Sequence, residues 1–274
     1  MSKKKVLIVT QEMQPYTALS EISEIARKLP QHIQENGMEI RILMPRFGTI
    51  NERRHRLHEV VRLSGMNIIV DDDDYPLIIK VASIPEARMQ VYFLDNEDFF
   101  KRKNVFTDAQ DKPFTDNADR MIFFCKGVLE TVKKFGWPPD IVHCHGWMTS
   151  LVPLYLKTAY KNEPLFAHSK VVYSIYDQTM EDQFDDSFLA KASINNLEAE
   201  QLKEYLAEGR IALHEGAAQY ADGLVRASAE LPDSINTVLS KTDKPVLPYE
   251  GDLEKFMPAC MEFYNALFPE EVSE

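Results

Sequence analysis

Two histidines one residue apart, His143 and His145, stand out as groups suited to chemistry. They follow a short apolar run, so the sequence predicts that both lie near the end of a β-strand. A histidine in that position either contacts a ligand or makes structural hydrogen bonds, and the sequence leaves both alternatives open. A zinc site is not predicted, because the two histidines have period-two spacing and no nearby carboxylate partner.

Four other side chains are candidates for the same edge of the fold. Asp116 precedes a predicted helix and is either its N-cap or a ligand contact. Trp147 either stacks on a ligand or packs under the edge of the sheet. Tyr16 and Tyr176 each follow a predicted strand, so we expect both to line a crevice at the carboxyl edge.

The N-terminal segment predicts the frame that positions these residues. Residues 5–10 (KVLIVT) form a β-branched apolar run that is typical of a strand buried on both faces. Residues 19–36 carry apolar side chains at helical spacing, Gly37 ends that helix, and residues 38–44 (MEIRILM) predict a second strand. A strand, a helix and a strand in this order form a βαβ unit, which predicts a parallel sheet.

The remaining sequence continues the α/β pattern around one insertion. Short alternating runs over residues 59–95 predict a β-rich insertion, in which the four aspartates 71–74 mark a solvated hairpin turn. No linker or repeat divides the chain, so residues 1–274 are predicted to form a single domain. The later predicted elements are helices at 115–135, 147–160, 197–206, 210–220 and 230–240, strands at 140–143, 170–175 and 223–226, a polar loop at 177–196, and an amphipathic C-terminal helix at about 252–268.

Composition narrows the choice of partners and compartment. The 274 residues carry a net charge of −12, which disfavours nucleic acid and anionic membranes as partners. Three scattered cysteines, Cys125, Cys144 and Cys260, suit buried thiols better than a disulfide framework. Because no stretch resembles a signal peptide or a membrane span, we expect a cytoplasmic protein.

Several segments go beyond a general α/β pattern. The main ones are YFLDNEDFF at 92–100, followed by FTDNADR at 114–120, and GWPPDIVHCHGWMTSLVPLYL at 136–156. Together with QEMQP at 11–15, MPRF at 44–47 and YADGLV at 220–225, they resemble the bacterial glycogen and starch synthase family and occur in its order. QEMQP stands in place of the family's S-E-x-x-P, so Gln11 replaces a serine. The resemblance implies a doubly wound, Rossmann-like α/β domain that is the N-terminal half of the two-domain GT-B architecture. Enzymes of this family transfer glucose from ADP-glucose to an α-1,4-glucan.

The sequence departs from the family where the donor phosphates would bind. The family's Lys-Thr-Gly-Gly-Leu loop, with glycines that admit phosphate and a lysine that attracts it, reads ALSEI at 18–22. In the family's H-x-H-D-W-H stretch, Gly146 replaces the aspartate and Met148 replaces the last histidine. The family's Thr-Val-His-Asn segment reads YSIY at 173–176. A diphosphate is therefore not expected to bind here.

By resemblance, the remaining polar groups have roles on the glucan side, with His145 and Asp116 as the catalytic candidates. The substrate-binding candidates are Glu12, Tyr16, Asn117, Arg120, His143, Trp147 and Tyr176. We expect no metal and no cofactor. Because the chain ends soon after this domain, we also expect the donor domain to be absent.

Three functions are consistent with this sequence. The favoured one is a non-catalytic or accessory protein that associates with α-glucan or maltooligosaccharide. The second is an active glucosyltransferase completed by a separate donor-domain protein, and the third is a module for an unrelated small ligand or for protein interaction. The apolar stripe of the C-terminal helix is expected to pack on the domain's own sheet or on a second copy in a homodimer.

Overall fold

The computed structural model describes residues 3–84, 87, 89–185, 187–194, 197 and 199–268. Within these residues, strands alternate with helices along most of the chain. The strands are β1 (Lys5–Thr10), β2 (Glu39–Pro45), β3 (His58–Glu59), β4 (Met66–Val70), β5 (Asp73–Ile84), β6 (Met89–Asp95), β7 (Ile141–His145), β8 (Lys170–Ile175), β9 (Leu206–Ala207), β10 (Arg210–Ile211), β11 (Gly223–Arg226) and β12 (Val246–Leu247). The helices are α1 (Ile22–Glu35), α2 (Glu52–His55), α3 (Glu97–Phe100), α4 (Asn117–Phe135), α5 (Leu151–Lys157), α6 (Ser187–Ala192), α7 (Ala199–Leu202), α8 (Leu213–Tyr220), α9 (Asp233–Lys241) and α10 (Leu253–Ala266).

One large sheet organises the domain, in the order β12-β11-β8-β7-β1-β2-β6-β5-β3, with β4 paired to β5. The pairs from β12 to β6 are parallel, whereas β5 runs antiparallel to β6, β3 and β4. The predicted α/β class with a β-rich insertion is confirmed. The insertion does not stand apart, because β5 and β3 extend the main sheet.

The centre of the sheet explains why its strands are apolar. Residues Val6 to Val9 of β1 are fully buried on both faces, since β1 lies between β7 and β2. Helix α4 packs against β6, β4 and α5, while α1 packs against β1, β2 and α10. Parallel strands with such crossovers place their carboxyl ends at one edge, and the candidate site lies there.

The boundaries of the N-terminal elements follow local hydrogen bonds. Helix α1 begins at Ile22 and not at Leu19 as predicted; ahead of it, the amide groups of Leu19 and Ser20 donate to the Glu12 carboxylate. The predicted aspartate turn is found between β4 and β5, where Asp71 adopts a φ of 56°.

The segment after β8 differs most from its prediction. Residues 177–196 were expected to be a loop, but α6 forms within them because Phe188 and Ala192 pack into the core. The end of that predicted loop, residues 195–196, lies outside the described residues. The helix predicted at 197–206 is reduced to the four residues of α7 and a single 3-10 turn, after which β9 and β10 form a hairpin. Gly209 at φ 78° permits the hairpin's turn.

Helix α10 lies against the domain and contacts α1 and β12. Its buried side chains are Phe256, Cys260, Phe263 and Tyr264. The Phe263 ring fits against Gly223 so closely that a Cβ there would lie 2.8 Å from it. Among the described residues, the helices are too short or too polar to cross a lipid bilayer.

Candidate functional site

The carboxyl ends of β1, β7 and β8 meet at the centre of the sheet. Thr10 of β1 is in register with His145 of β7, which in turn is in register with Ser174 of β8. The predicted residues Glu12, His145 and Tyr176 therefore occupy neighbouring positions at one edge. We call residues 11–21 and 145–148, with Ser228, the β1 edge.

His145 is a buried, neutral imidazole. Its Nδ1 lies 2.9 Å from the Tyr176 hydroxyl, and its Nε2 has no hydrogen-bond partner among the described residues. Burial lowers the pKa of His145 to about 3. At neutral pH this side chain therefore carries no charge, and one ring nitrogen remains free for a bond to water or a ligand.

His143 has the geometry of a structural histidine. Its Nε2 lies 2.7 Å from Ser174 Oγ and its Nδ1 lies 2.5 Å from the Tyr264 hydroxyl. Burial, together with the neighbouring His145, holds its pKa well below the usual value. The two imidazole rings are 3.9 Å apart between centroids. A ligand contact by His143 would require one of these hydrogen bonds to break.

Glu12 organises the loop that follows β1. Its buried carboxylate accepts hydrogen bonds from the amides of Leu19 (2.5 Å) and Ser20 (3.0 Å) and from Ser20 Oγ (2.5 Å). In the resembled family, the corresponding loop presents glycines and a lysine to phosphate. Here a carboxylate of the protein already occupies the backbone donors.

Glu21 adds a second carboxylate at the same place. Ser228 Oγ donates a hydrogen bond of 2.8 Å to it, so the loop after β1 is tied to the loop after β11. A cavity of ≈130 Å³ lies beside it, and four carboxylates and one guanidinium are among its lining groups. These are Glu21, Glu24, Glu250, Asp252 and Arg226. The cavity is therefore acidic and unfavourable to anions.

A second polar group, which we call the Arg120 cluster, lies at the start of α4. It consists of Arg102, Asp116, Asn117 and Arg120. Asp116 occupies the N-cap position of α4, as one of the two alternatives predicted, but its side chain makes no capping bond; its carboxylate instead pairs with both Nη atoms of Arg102. Asn117 donates to the Phe106 carbonyl at 2.9 Å and accepts from Arg120 Nη1 at 2.7 Å.

Arg120 is fully buried within this cluster. Its Nε donates to the Phe99 carbonyl at 2.8 Å, and its guanidinium lies 5.4 Å from the centroids of both Phe100 and Phe114. Burial lowers the pKa of Arg120 to about 9. Its Nη2 has no hydrogen-bond partner within the described part of the chain. The cluster thus serves the core and offers one unused donor.

Trp147 and Tyr16 lie in different surroundings. Trp147 is 2% exposed and packs against Phe106 and Phe184, with ring centroids 5.0 and 6.0 Å away, which is the packing alternative. Tyr16 sits over β6, its ring centroid 4.9 Å from that of Phe93. Tyr176 follows β8 on the opposite side of β1, so the expectation that both tyrosines line one crevice is wrong.

The sequence alone did not reveal that Gln11 and Gly146 depend on each other. Gly146 has a φ of 89°, and a Cβ there would lie 2.3 Å from Gln11 Oε1. Gln11 Oε1 accepts a hydrogen bond from the backbone amide of Met148 at 3.3 Å. Both positions depart from the resembled family, and two departures at the ends of adjacent strands were the available signal of a contact.

Comparison with known proteins agrees with this fold. The chain is 42% identical over 174 residues to a glycogen synthase of Chlorobium limicola and 38% identical over 188 residues to one of Chlorobaculum parvum. These alignments cover 63% and 68% of this chain but only 36% and 38% of the relatives, so the chain spans little more than a third of their length.

A solved structure shares the architecture. The catalytic domain of starch synthase IV from Arabidopsis thaliana, bound to ADP and acarbose, superposes with a TM-score of 0.75 over 90% of this chain and 51% of that chain, at 18% identity. The profile of the starch synthase catalytic domain matches residues 5–242. With the parallel sheet and the polar groups at its carboxyl edge, this match shows that the chain belongs to the starch synthase catalytic domain family.

Proposed function

We propose that this domain is a non-catalytic, accessory member of its family that associates with α-glucan and does not bind a sugar nucleotide. The observation that carries the proposal is the loop after β1. Its backbone donors are taken by Glu12, and Glu21 stands where the family admits phosphate.

Electrostatics makes this loop a poor phosphate site. Two like unit charges about 4 Å apart repel by about 4 kcal/mol at an effective dielectric constant near 20. No lysine offsets this repulsion, because Ala18 occupies the lysine position. Glutamates 24 and 250 line the adjoining cavity and add to the negative field.

The support for glucan association comes from other residues. The chain keeps Asp116, Asn117 and Arg120, which the resemblance places on the glucan side, and Arg120 retains an unused Nη2. The related starch synthase IV domain binds acarbose, and the curated relatives are glycogen synthases. We therefore propose that the chain shares the family's association with glucan and lacks its binding of the sugar nucleotide.

Titration calorimetry of the purified 274-residue chain tests the proposal. We expect heat of binding with maltoheptaose and none with ADP-glucose at about 1 mM, a concentration that detects binding free energies of about −4 kcal/mol or stronger. As a positive control for the nucleotide arm, the variant Ala18→Lys, Leu19→Thr, Ser20→Gly, Glu21→Gly restores the family's Lys-Thr-Gly-Gly sequence and should gain ADP binding. Elongation of a glucan primer by the unaltered chain, or its tight binding of ADP-glucose, would overturn the proposal.

A further inference from the structure

A groove of ≈760 Å³ is lined by Tyr16, from the loop after β1, and by Arg54, His55, Arg56, His58 and Ser83. We call it the basic groove. Its volume falls within the range of about 300–1,000 Å³ that is usual for small-molecule sites. No carboxylate is among these lining residues, although the chain has a net charge of −12.

The cations of the basic groove are not committed to partners. The guanidinium groups of Arg54 and Arg56 form no ion pair or side-chain hydrogen bond with the residues that the structure describes, although the backbone amide of Arg54 caps onto Asn51. By contrast, Arg46 on the neighbouring strand is paired with Asp95 and Glu52. Two unpaired guanidiniums facing one groove provide the fork geometry that suits phosphate oxygens.

Tyr16 is one of the residues that line the groove, and it is 6% exposed. Its ring meets His55 edge-on at 5.0 Å between centroids, and its hydroxyl makes no hydrogen bond within the described part of the chain. Burial raises the pKa of Tyr16 to about 12, so the hydroxyl stays protonated and can donate. An aromatic body with a free hydroxyl suits a ligand that has both an apolar face and polar oxygens, as a sugar does.

We propose that the basic groove binds a phosphate monoester carried by a sugar. The phosphate part of this assignment rests on Arg54 and Arg56, and the sugar part rests on the proposed glucan association. Two sources share this chemistry: a free hexose phosphate, and a phosphate ester attached to a glucan chain.

The net negative charge of the protein favours binding of a compact anion over binding of a long polyanion. Charges more than about 8–10 Å apart are largely screened at physiological ionic strength, so a single phosphate responds mainly to the local arginines. A nucleic acid strand would extend beyond the groove and meet the acidic remainder of the surface.

Titration calorimetry with paired variants tests the assignment. Arg54→Gln with Arg56→Gln removes the groove's guanidiniums, whereas Arg53→Gln with Arg62→Gln removes two exposed arginines that do not line it. Both variants change the net charge equally. We expect the affinity for a hexose phosphate to fall at least about tenfold in the first variant and to change less than about twofold in the second.

The choice of ligand distinguishes the two sources of phosphate. It also distinguishes phosphate binding in the basic groove from the proposed glucan association. If a maltodextrin bearing phosphate monoesters binds more tightly than a hexose phosphate, the ligand is a phosphate ester on a glucan chain. If the hexose phosphate binds more tightly, the ligand is the free sugar phosphate. Binding of unmodified maltodextrin, unaffected by Arg54→Gln with Arg56→Gln, reports on glucan association alone. The inference fails if the unaltered chain binds neither phosphorylated ligand, if inorganic phosphate binds as tightly as both, or if the two variants lose equal affinity.

Discussion

The β1 edge and the Arg120 cluster are both polar and partly buried, yet they pair their charges differently. At the β1 edge, the carboxylates of Glu12 and Glu21 accept hydrogen bonds from neutral amides and hydroxyls. In the Arg120 cluster, the Asp116 carboxylate faces the Arg102 guanidinium. The first region keeps its negative charge, whereas the second largely neutralises it.

The Arg120 cluster keeps residues of the family, and the structure gives them a role within the fold. Arg120 reaches the Phe99 carbonyl and holds Asn117, so the cluster stabilises the start of α4 whether or not a sugar binds. A residue shared with the family therefore indicates function only after its contribution to stability has been measured. The following predictions separate that structural contribution from a role in binding.

The largest expected effect is on the Arg120 cluster. Arg120→Ala removes two hydrogen bonds and leaves a cavity among aromatic rings, so we expect the free energy of unfolding to fall by about 3–5 kcal/mol. Urea denaturation at pH 7 measures it. Arg53→Ala, at an exposed position, is the control and should change stability by less than about 0.5 kcal/mol. A loss below about 1 kcal/mol for Arg120→Ala would mean that the cluster is kept for another reason.

The next effect concerns the paired departures at the β1 edge. Gly146→Ala places a Cβ against Gln11 and a side chain at positive φ, so we expect a loss of about 2–4 kcal/mol. Gln11→Ser in the same chain removes the clash and should recover about half of that loss, while the backbone strain remains. Thermal denaturation of the two single variants and the double variant gives the coupling energy. Additive losses would show that Gln11 and Gly146 do not compensate each other.

Acid should weaken the β1 edge more than the Arg120 cluster. The folded-state pKa of His145 is about 3, below the value of 6.5 for the free side chain, so the unfolded chain binds more protons between these values. Stability is therefore full above pH 6.5 and decreases as the pH falls toward 3. His143 shifts in the same direction. Between pH 7 and 5.5, the protonation difference at His145 alone should cost about 1 kcal/mol.

His145→Gln isolates the contribution of His145 to this pH dependence. The variant lacks one titrating imidazole, so the decrease in the free energy of unfolding between pH 7 and 5.5 should shrink by about 1 kcal/mol. Urea denaturation at several pH values measures the slope. Equal slopes for His145→Gln and the unaltered chain would show that His145 is not held neutral by burial.

The sequence predicted the centre of this fold better than its edges. The apolar runs of β1 and β7 and the helical spacing of α4 specify buried elements with one stable placement, and their positions were predicted to within a few residues. Segment 177–206 carries mixed polar and apolar residues, so its short elements depend on tertiary contacts such as that of Phe188 with the core. Periodicity cannot report contacts of that kind.

The same limit applies to the candidate site. The positions of Glu12, His145 and Tyr176 at one edge follow from strand order, which the sequence indicates. The bonds of His143 to Ser174 and Tyr264 do not, because Tyr264 comes from α10, 121 positions along the chain. The separation of Tyr16 from Tyr176 was also hidden, since it depends on which side of β1 each loop turns toward. The homodimer and the cytoplasmic location stay predictions.

The smallest expected effect compares the two carboxylates of the β1 edge. Glu12→Gln keeps the shape but removes the charge that strengthens three hydrogen bonds, so we expect a loss of about 1–2 kcal/mol. Glu21→Gln disturbs one bond to Ser228 and should change stability by less than about 0.5 kcal/mol, while weakening the repulsion of nucleotide phosphates. Thermal denaturation with and without ADP measures both. If Glu21→Gln is the more destabilising change, Glu21 is a structural residue, and its charge no longer explains the loss of the nucleotide.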